Sequence, residues 1–329
     1  MMMRRPHLAS DNEMKIVVVG DVHEDWNEKD ERALELLDPD VTLFVGDFGD
    51  GDLEITEKIA KVPGPKATIL GNHDVWVVRP SKDAKDRTKL AKTQLKALED
   101  SHVGYGSKVI EAAGEQIAVV GARPFSEGGS ELKSKVWKDV YDVSTMTESA
   151  ERIRSTIESQ PEDVPVVVIA HNGPTGLGTG RSDLCGIDYK PREGDHGDPD
   201  LRRAISLANR RISLVAFGHM HQRLVGGGQR DMLKLEAQRD TLFLNCAIVP
   251  RVVEIPRSRE RASQFTIVDL EGERVTGVKN VWVKSNPAGR MSIWEWEKWL
   301  ETDPRGARRY WRASVQEWSD WVPAHHEDR

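Results

Sequence analysis

Four uninterrupted apolar runs constrain this chain most: IVVV, TLFV, VVVIA and LVAF, each ending directly on a short polar block. A strand that is apolar at every position must be covered on both faces, which calls for a sheet with layers above and below it. The blocks that follow are Gly20-Asp21-Val22-His23, Gly46-Asp47, His171-Asn172-Gly173-Pro174 and Gly218-His219-Met220-His221. A fifth, Gly71-Asn72-His73-Asp74, follows the shorter run ATIL. Packing has no use for Asp, Asn and His delivered repeatedly at strand ends, so these blocks point to chemistry.

At 329 residues, 38% hydrophobic and 31% charged, the chain has enough material for one large α/β domain or two smaller ones. No apolar run approaches the ~20 residues that span a bilayer. The opening MMMRRPHLAS has no apolar stretch of signal-peptide type. A net charge of −7 argues against general affinity for nucleic acid or anionic membranes. The two cysteines, Cys185 and Cys246, lack metal-binding or redox spacing and read as buried core thiols. A cytoplasmic location follows as the default expectation.

Strand and helix alternate over the first hundred residues. Strands are expected at Lys15–Gly20, Val41–Val45 and Lys66–Leu70, with helices over Glu28–Leu37, Leu53–Ala60 and within Ser81–Asp100. A hairpin at Val109–Val120 then breaks the rhythm. Helices over Thr147–Gln160 and Asp200–Asn209 alternate with strands at Val166–Ala170 and Leu214–Phe217, and Thr241–Val249, Gln264–Leu270 and Val275–Val283 close the series. Residues 1–13 read as a flexible N-terminus and 14–290 as one domain. From Met291 onward the chain holds six of its ten tryptophans, and the Trp296/Trp299 and Trp311/Trp318 spacings predict a helical, Trp-rich C-terminal extension over 291–329. Such a segment would fold back on its domain or pair two copies of the chain. The Gly- and Asp-rich stretch 173–199 begins beside His171 and is expected to wall a pocket.

Hydrolysis of a phosphate ester must bring hydroxide to an anionic centre and stabilise charge on the transferring group and the leaving oxygen. Two divalent cations ~3.5–4 Å apart do all of this, provided that a carboxylate is shared between them. The chain offers Asp21, His23, Asp47, Asn72, His171, His219 and His221 as ligands, with Asp47 the natural bridge. Imidazole, carboxylate and amide oxygen together suit Mn, Fe or Zn. Arg123 and His196 are further candidates to contact substrate, whereas Asp50 and Asp52 read as solvated.

The order D-x-H, G-D, G-N-H-D, H, G-H-x-H over residues 15–250 resembles the calcineurin-like metallophosphoesterase superfamily. That resemblance implies a four-layer αββα sandwich of two mixed sheets flanked by helices. It implies one metal on Asp21, His23, Asp47 and His221, and another on Asp47, Asn72, His171 and His219. His73 would face the substrate, with Asp74 orienting its ring, and a metal-bridging hydroxide would attack in line. The blocks differ from those of the protein Ser/Thr phosphatases: no arginine follows Gly46-Asp47-Phe48-Gly49-Asp50-Gly51. This favours a small phosphorylated substrate or nucleotide over a phosphoprotein. The His171-Asn172-Gly173-Pro174 block with the downstream Gly-Asp-His-Gly-Asp-Pro-Asp loop is similar to a branch found in photosynthetic organisms, for which a plastid is an alternative location. Competing readings are a nuclease on the same site and a metal-binding scaffold acting through the Trp-rich tail.

Overall fold

The computed structural model describes residues 13–75, 84–190, 192, 194–255, 258–302 and 308–310. The strands are β1 (Glu13–Val19), β2 (Val41–Phe44), β3 (Lys66–Thr68), β4 (Ser107–Ala112), β5 (Glu115–Gly121), β6 (Val166–Ile169), β7 (Leu214–Phe217), β8 (Leu233–Glu236), β9 (Thr241–Asn245), β10 (Val252–Ile255), β11 (Glu260–Glu271), β12 (Arg274–Ser285), β13 (Met291–Thr302) and β14 (Arg308–Tyr310). The helices are α1 (Glu28–Leu37), α2 (Leu53–Lys61), α3 (Ala84–Leu98), α4 (Val136–Tyr141), α5 (Met146–Glu158) and α6 (Pro199–Leu207). No helix among the described residues is long and apolar enough to cross a membrane.

Two mixed sheets form. One runs β14-β13-β12-β11-β1-β2-β3, with β10 also on β11; the other runs β4-β5-β6-β7-β9-β8. Within each, a parallel core carries the polar blocks: β1-β2-β3 in the first and β5-β6-β7-β9 in the second.

Strand parity explains the layering. Ile16 and Val18 of β1 point the same way and pack with Val41 and Leu43 of β2 against Val167 and Ile169 of β6 and Leu214 and Ala216 of β7. This is the core between the sheets. Val17 and Val19 point oppositely and pack in the core that takes in Ala33, Leu34 and Leu37 of α1, while Val166 and Val168 share their layer with Ile153 and Ile157 of α5. The result is the four-layer αββα sandwich expected, and it is why every position of the apolar runs is buried.

Capping defines α1 closely. Asn27 accepts from Lys29 N and the Asp30 carboxylate returns to Asn27 N, closing a capping box. Asp30 is buried because Arg251 and Arg261 reach it at 3.0 and 2.7 Å, and the Arg251 guanidinium also lies over the rings of Trp26 and Phe265.

The Trp-rich segment departs from expectation. Residues 291–302 are not helical but form β13, antiparallel to β12 across a turn at Asn286–Arg290. The physical reason is the period-2 alternation Trp294-Glu295-Trp296-Glu297, aromatic residues favouring strand, beside the open edge of a twelve-residue β12. Trp299 and Leu300 are buried in the inter-sheet core, so this segment folds onto its own domain. The remainder of the expected helical extension, with Trp311, Trp318 and Trp321, and the N-terminal twelve residues lie outside the described residues.

Leu43→Ala should cost about 2–5 kcal/mol by denaturant unfolding, as expected for a truncated, fully buried side chain. Leu36→Ala, on the 43% exposed face of α1, should stay within about 0.5 kcal/mol of wild type.

Candidate metal centre

All five polar blocks meet where the carboxyl ends of the two parallel cores face each other. Asp21 and His23 leave β1, Asp47 leaves β2 and Asn72-His73 follow β3. His171 leaves β6, while His219 and His221 leave β7. The backbone bends sharply here: Asp21, His23, Asp47 and His219 sit at φ of 49°, 45°, 52° and 69°. Non-glycine residues seldom adopt this left-handed region, and a cluster of four is a mark of a functional site.

The neighbouring glycines are demanded by crowding. A Cβ on Gly71 would run into the Asp47 carboxylate, and one on Gly218 into that of Asp21. The Gly-Asp, Gly-Asn and Gly-His pairings are thus close-approach constraints as well as turn chemistry.

Donor atoms fall into groups whose members lie within 4.8 Å of one another: Asp21, His23 and His221; His23, Asp47 and His73; and Asp47, His171 and His219. Asp47 appears in two of them. His171 Nδ1 donates to Val45 O at 2.9 Å, so its Nε2 faces Asn72 Oδ1 at 2.8 Å and Asp47 Oδ1 at 3.2 Å. A cation must sit in that triangle, either a proton on the ring or a metal between the three atoms. His23 Nε2 is buried without a hydrogen-bond partner, 3.9 Å from Asp21 Oδ1 and 4.0 Å from Asp47 Oδ2. A buried nitrogen aimed at two carboxylates without reaching either is the geometry of a ligand set, and the donor types fit divalent metals.

The electrostatics agree. Burial and the charge of Asp47 push the Asp21 carboxyl up to about 7. Burial opposes ionisation of Asp47 too, but His171, His73 and His23 hold its pKa below the usual carboxylate range. Burial also works against charge on His171, yet Asp47 raises it to about 9. Burial, aided by His23, lowers His221 to about 4, and burial takes His219 well below its usual value. Two buried carboxylates among mostly neutral imidazoles are short of positive charge.

The partner of His73 is Asp50, not Asp74: His73 Nδ1 and Asp50 Oδ1 are 2.6 Å apart. Asp50 is therefore not simply solvated. Asp74 is fully buried and accepts from Gly71 N at 2.7 Å, Phe48 N at 2.8 Å and Gly49 N at 3.2 Å, tying the β3 loop to the β2 loop. Arg123 is neither a surface residue nor a substrate contact. It is buried at the root of the insertion, 2.6 Å from Asp198 and 3.1 Å from Asp200. Asn172 lies behind the site and donates to His196 O at 2.8 Å. The backbone that it holds presents the His196 ring, stacked on His219 with centroids 6.0 Å apart. The sequence reading also missed Arg230, a buried guanidinium that donates to carbonyls of His221, Arg181, Asp183 and Gly186 and so pins the insertion to the β7 loop. No local pattern marks such a residue, because its partners lie as much as 49 positions away. A cleft of about 420 Å³ opens from Asn72, His219 and His221, walled by His196 and Tyr189 of the insertion, which bears out its expected role as a pocket wall.

The sequence matches the calcineurin-like phosphoesterase model over residues 14–223. The chain belongs to that family. As a calcineurin-like phosphoesterase it is a metal-dependent hydrolase of phosphoesters. Solved structures similar to it include TT1561 of Thermus thermophilus, 12% identical over 86% of this chain and 98% of that one, TM-score 0.47. Others are a dimetal phosphatase from Danio rerio, 11% identical over 86% and 99%, TM-score 0.42, and an archaeal phosphodiesterase, 11% identical over 85% and 100%, TM-score 0.35. No curated protein matches the sequence.

Asp50→Asn should lower kcat while leaving metal content unchanged, because the carboxylate bonds to the His73 ring and to none of the expected ligands Asp21, His23, Asp47, Asn72, His171, His219 and His221. Asp74→Asn should instead lower the unfolding midpoint, because the amide keeps one acceptor oxygen and turns its NH2 toward backbone N–H groups that the other oxygen accepts, at about 1–3 kcal/mol for each one left unsatisfied. Paired metal analysis and thermal unfolding distinguish the two.

Proposed function

We propose that the enzyme hydrolyses phosphate mono- or diesters of small phosphorylated molecules or nucleotides at a centre of two divalent cations. Asp21, His23, Asp47 and His221 hold one cation, and Asp47, Asn72, His171 and His219 the other. The observation that carries this reading is the position of Asp47, whose carboxylate belongs to donor groups on both sides. Bound there, the cations acidify a water and draw charge from the phosphoryl oxygens. Imidazole, carboxylate and amide ligands are compatible with Mn, Fe or Zn.

The chain's own residues supply the rest. Asp47 also accepts from His73 N at 2.9 Å, which fixes the bridging carboxylate against rotation. His73 stands at the mouth with its ring edge-on to that of His23, centroids 5.0 Å apart. Burial lowers its basicity, but Asp47 and the bond to Asp50 outweigh this and raise its pKa above the ordinary histidine value. It is suited to bind the phosphoryl group and to protonate the leaving oxygen. His196, on the opposite wall, is positioned to contact substrate. A small substrate fits a cleft of about 420 Å³ better than a folded protein surface does.

Metal-stripped protein should be inactive on p-nitrophenyl phosphate and bis-p-nitrophenyl phosphate and regain turnover with Mn²⁺. Asp47→Asn should lose at least about a hundredfold in kcat and bind fewer than two metals. Equal turnover with and without metal, or an active Asp47→Asn enzyme, would refute the proposal. The better of the two substrates separates monoesterase from diesterase.

A further inference from the structure

Beyond the donor atoms, the cleft rim carries five charged side chains: Glu127, Lys133, Asp188, Lys190 and Arg223. Both carboxylates are already committed. Glu127 pairs with Lys133 at 2.7 Å. Asp188 uses one oxygen on the buried Arg230 at 3.1 Å and the other on Val225 N at 2.8 Å. What remains is Lys190 and Arg223, neither within ion-pair distance of a carboxylate among the described residues. A positive rim on a chain of net charge −7 is a local arrangement, not a reflection of composition.

The Arg223 backbone is held, and the Lys190 side chain rests on a neighbouring ring. Arg223 lies two residues beyond His221, and its strand bridge to Gln229 closes a small loop in which Gln222 N donates to Ala247 O and Arg230 N to Gln222 O, at 2.8 and 2.7 Å. Lys190 follows Tyr189, and its ammonium stands 5.4 Å from the centre of the Tyr189 ring. The Tyr189 hydroxyl approaches His196 Nε2 at 3.4 Å, which links this wall to the ring stacked on His219.

We infer that Arg223 and Lys190 form a subsite for a second anionic group, so that the preferred substrate is a small molecule carrying another phosphoryl group besides the scissile one. This rests on the phosphoesterase reading above and adds a substrate class to it. Arginine binds a phosphate through two parallel N–H donors and lysine adds a point charge, each a charge-assisted contact stronger than a neutral hydrogen bond. In the reaction, the oxygen of water joins the scissile phosphorus and its phosphorus–oxygen bond to the leaving group breaks, an ester bond in the bisphosphate and an anhydride bond if the terminal group of the diphosphate is released. The leaving oxygen takes a proton, and the second phosphoryl group stays intact on the product that carries it.

The test uses the metal-loaded full chain with adenosine 5′-monophosphate, adenosine 3′,5′-bisphosphate and adenosine 5′-diphosphate. Turnover and calorimetric binding are measured side by side. Wild type should favour at least one of the doubly phosphorylated nucleotides over the monophosphate by about tenfold or more, and which one reports where the second group lies. Arg223→Gln with Lys190→Gln should bring that ratio close to one, and Arg223→Lys should retain part of it. Equal affinity of wild type for all three nucleotides, or a preference that survives the double substitution, would overturn the subsite. Absence of all turnover on any ester would count against the phosphoesterase reading, whereas the binding ratios would still decide the subsite.

Discussion

Everything at this site depends on burying the carboxylate of Asp47. One oxygen faces His171 at 3.2 Å and accepts from His73 N, while the other points toward His23. His171, His73 and His23 stabilise that charge, but burial and the Asp47 charge together oppose ionisation of the neighbouring Asp21. The imidazoles cannot all make up the deficit, since burial drives His219 and His221 toward their neutral forms. The proposed pair of divalent cations would remove the conflict, and the family to which the chain belongs uses metals for phosphoester hydrolysis. The fold holds the conflict in place: two parallel strand cores, buried on both faces, point their carboxyl ends at the same spot.

Buried ion pairs do the corresponding work for the insertion. The insertion closes on itself through backbone bonds such as Ile187 N to Gly194 O, His196 N to Cys185 O and Asp198 N to Gly173 O, and charges sunk beneath it fix its position beside His219. Arg123 grips Asp198 and Asp200, and Arg230 gathers the Asp183 and Gly186 carbonyls of the insertion and that of His221. Removing either guanidinium would leave buried acceptors or charges unmet, so the wall of the cleft is built with the rigidity of a core. Lys190, Tyr189 and Arg223 line the cleft built on this base.

The donor groups were legible in the sequence because each is local: an apolar strand run, a glycine for close approach in every block except that of His171, then the ligand. The layer order was legible for the same reason, since runs such as IVVV admit only a sheet covered on both faces. Other features were hidden by distance or by turn geometry. Asp50 reaches His73 across 23 residues because the β2 loop curls back, while the adjacent Asp74 turns inward to collect backbone N–H groups. Arg123 meets Asp198 across 75 residues, which makes a strand-end arginine look like a surface or substrate group. In the Trp-rich segment, the three-residue Trp296–Trp299 spacing concealed the Trp-Glu-Trp-Glu alternation of β13, and the long partner strand decided the outcome.

The central claim is that two cations share Asp47 between the two sheet edges. Anomalous diffraction from crystals of the Mn²⁺-loaded protein tests it most directly. The account predicts two anomalous peaks ~3.5–4 Å apart, one on each side of the Asp47 carboxylate, with His23 and His221 near one and His171 and His219 near the other. A single peak, or peaks that leave Asp47 uncoordinated, would contradict it.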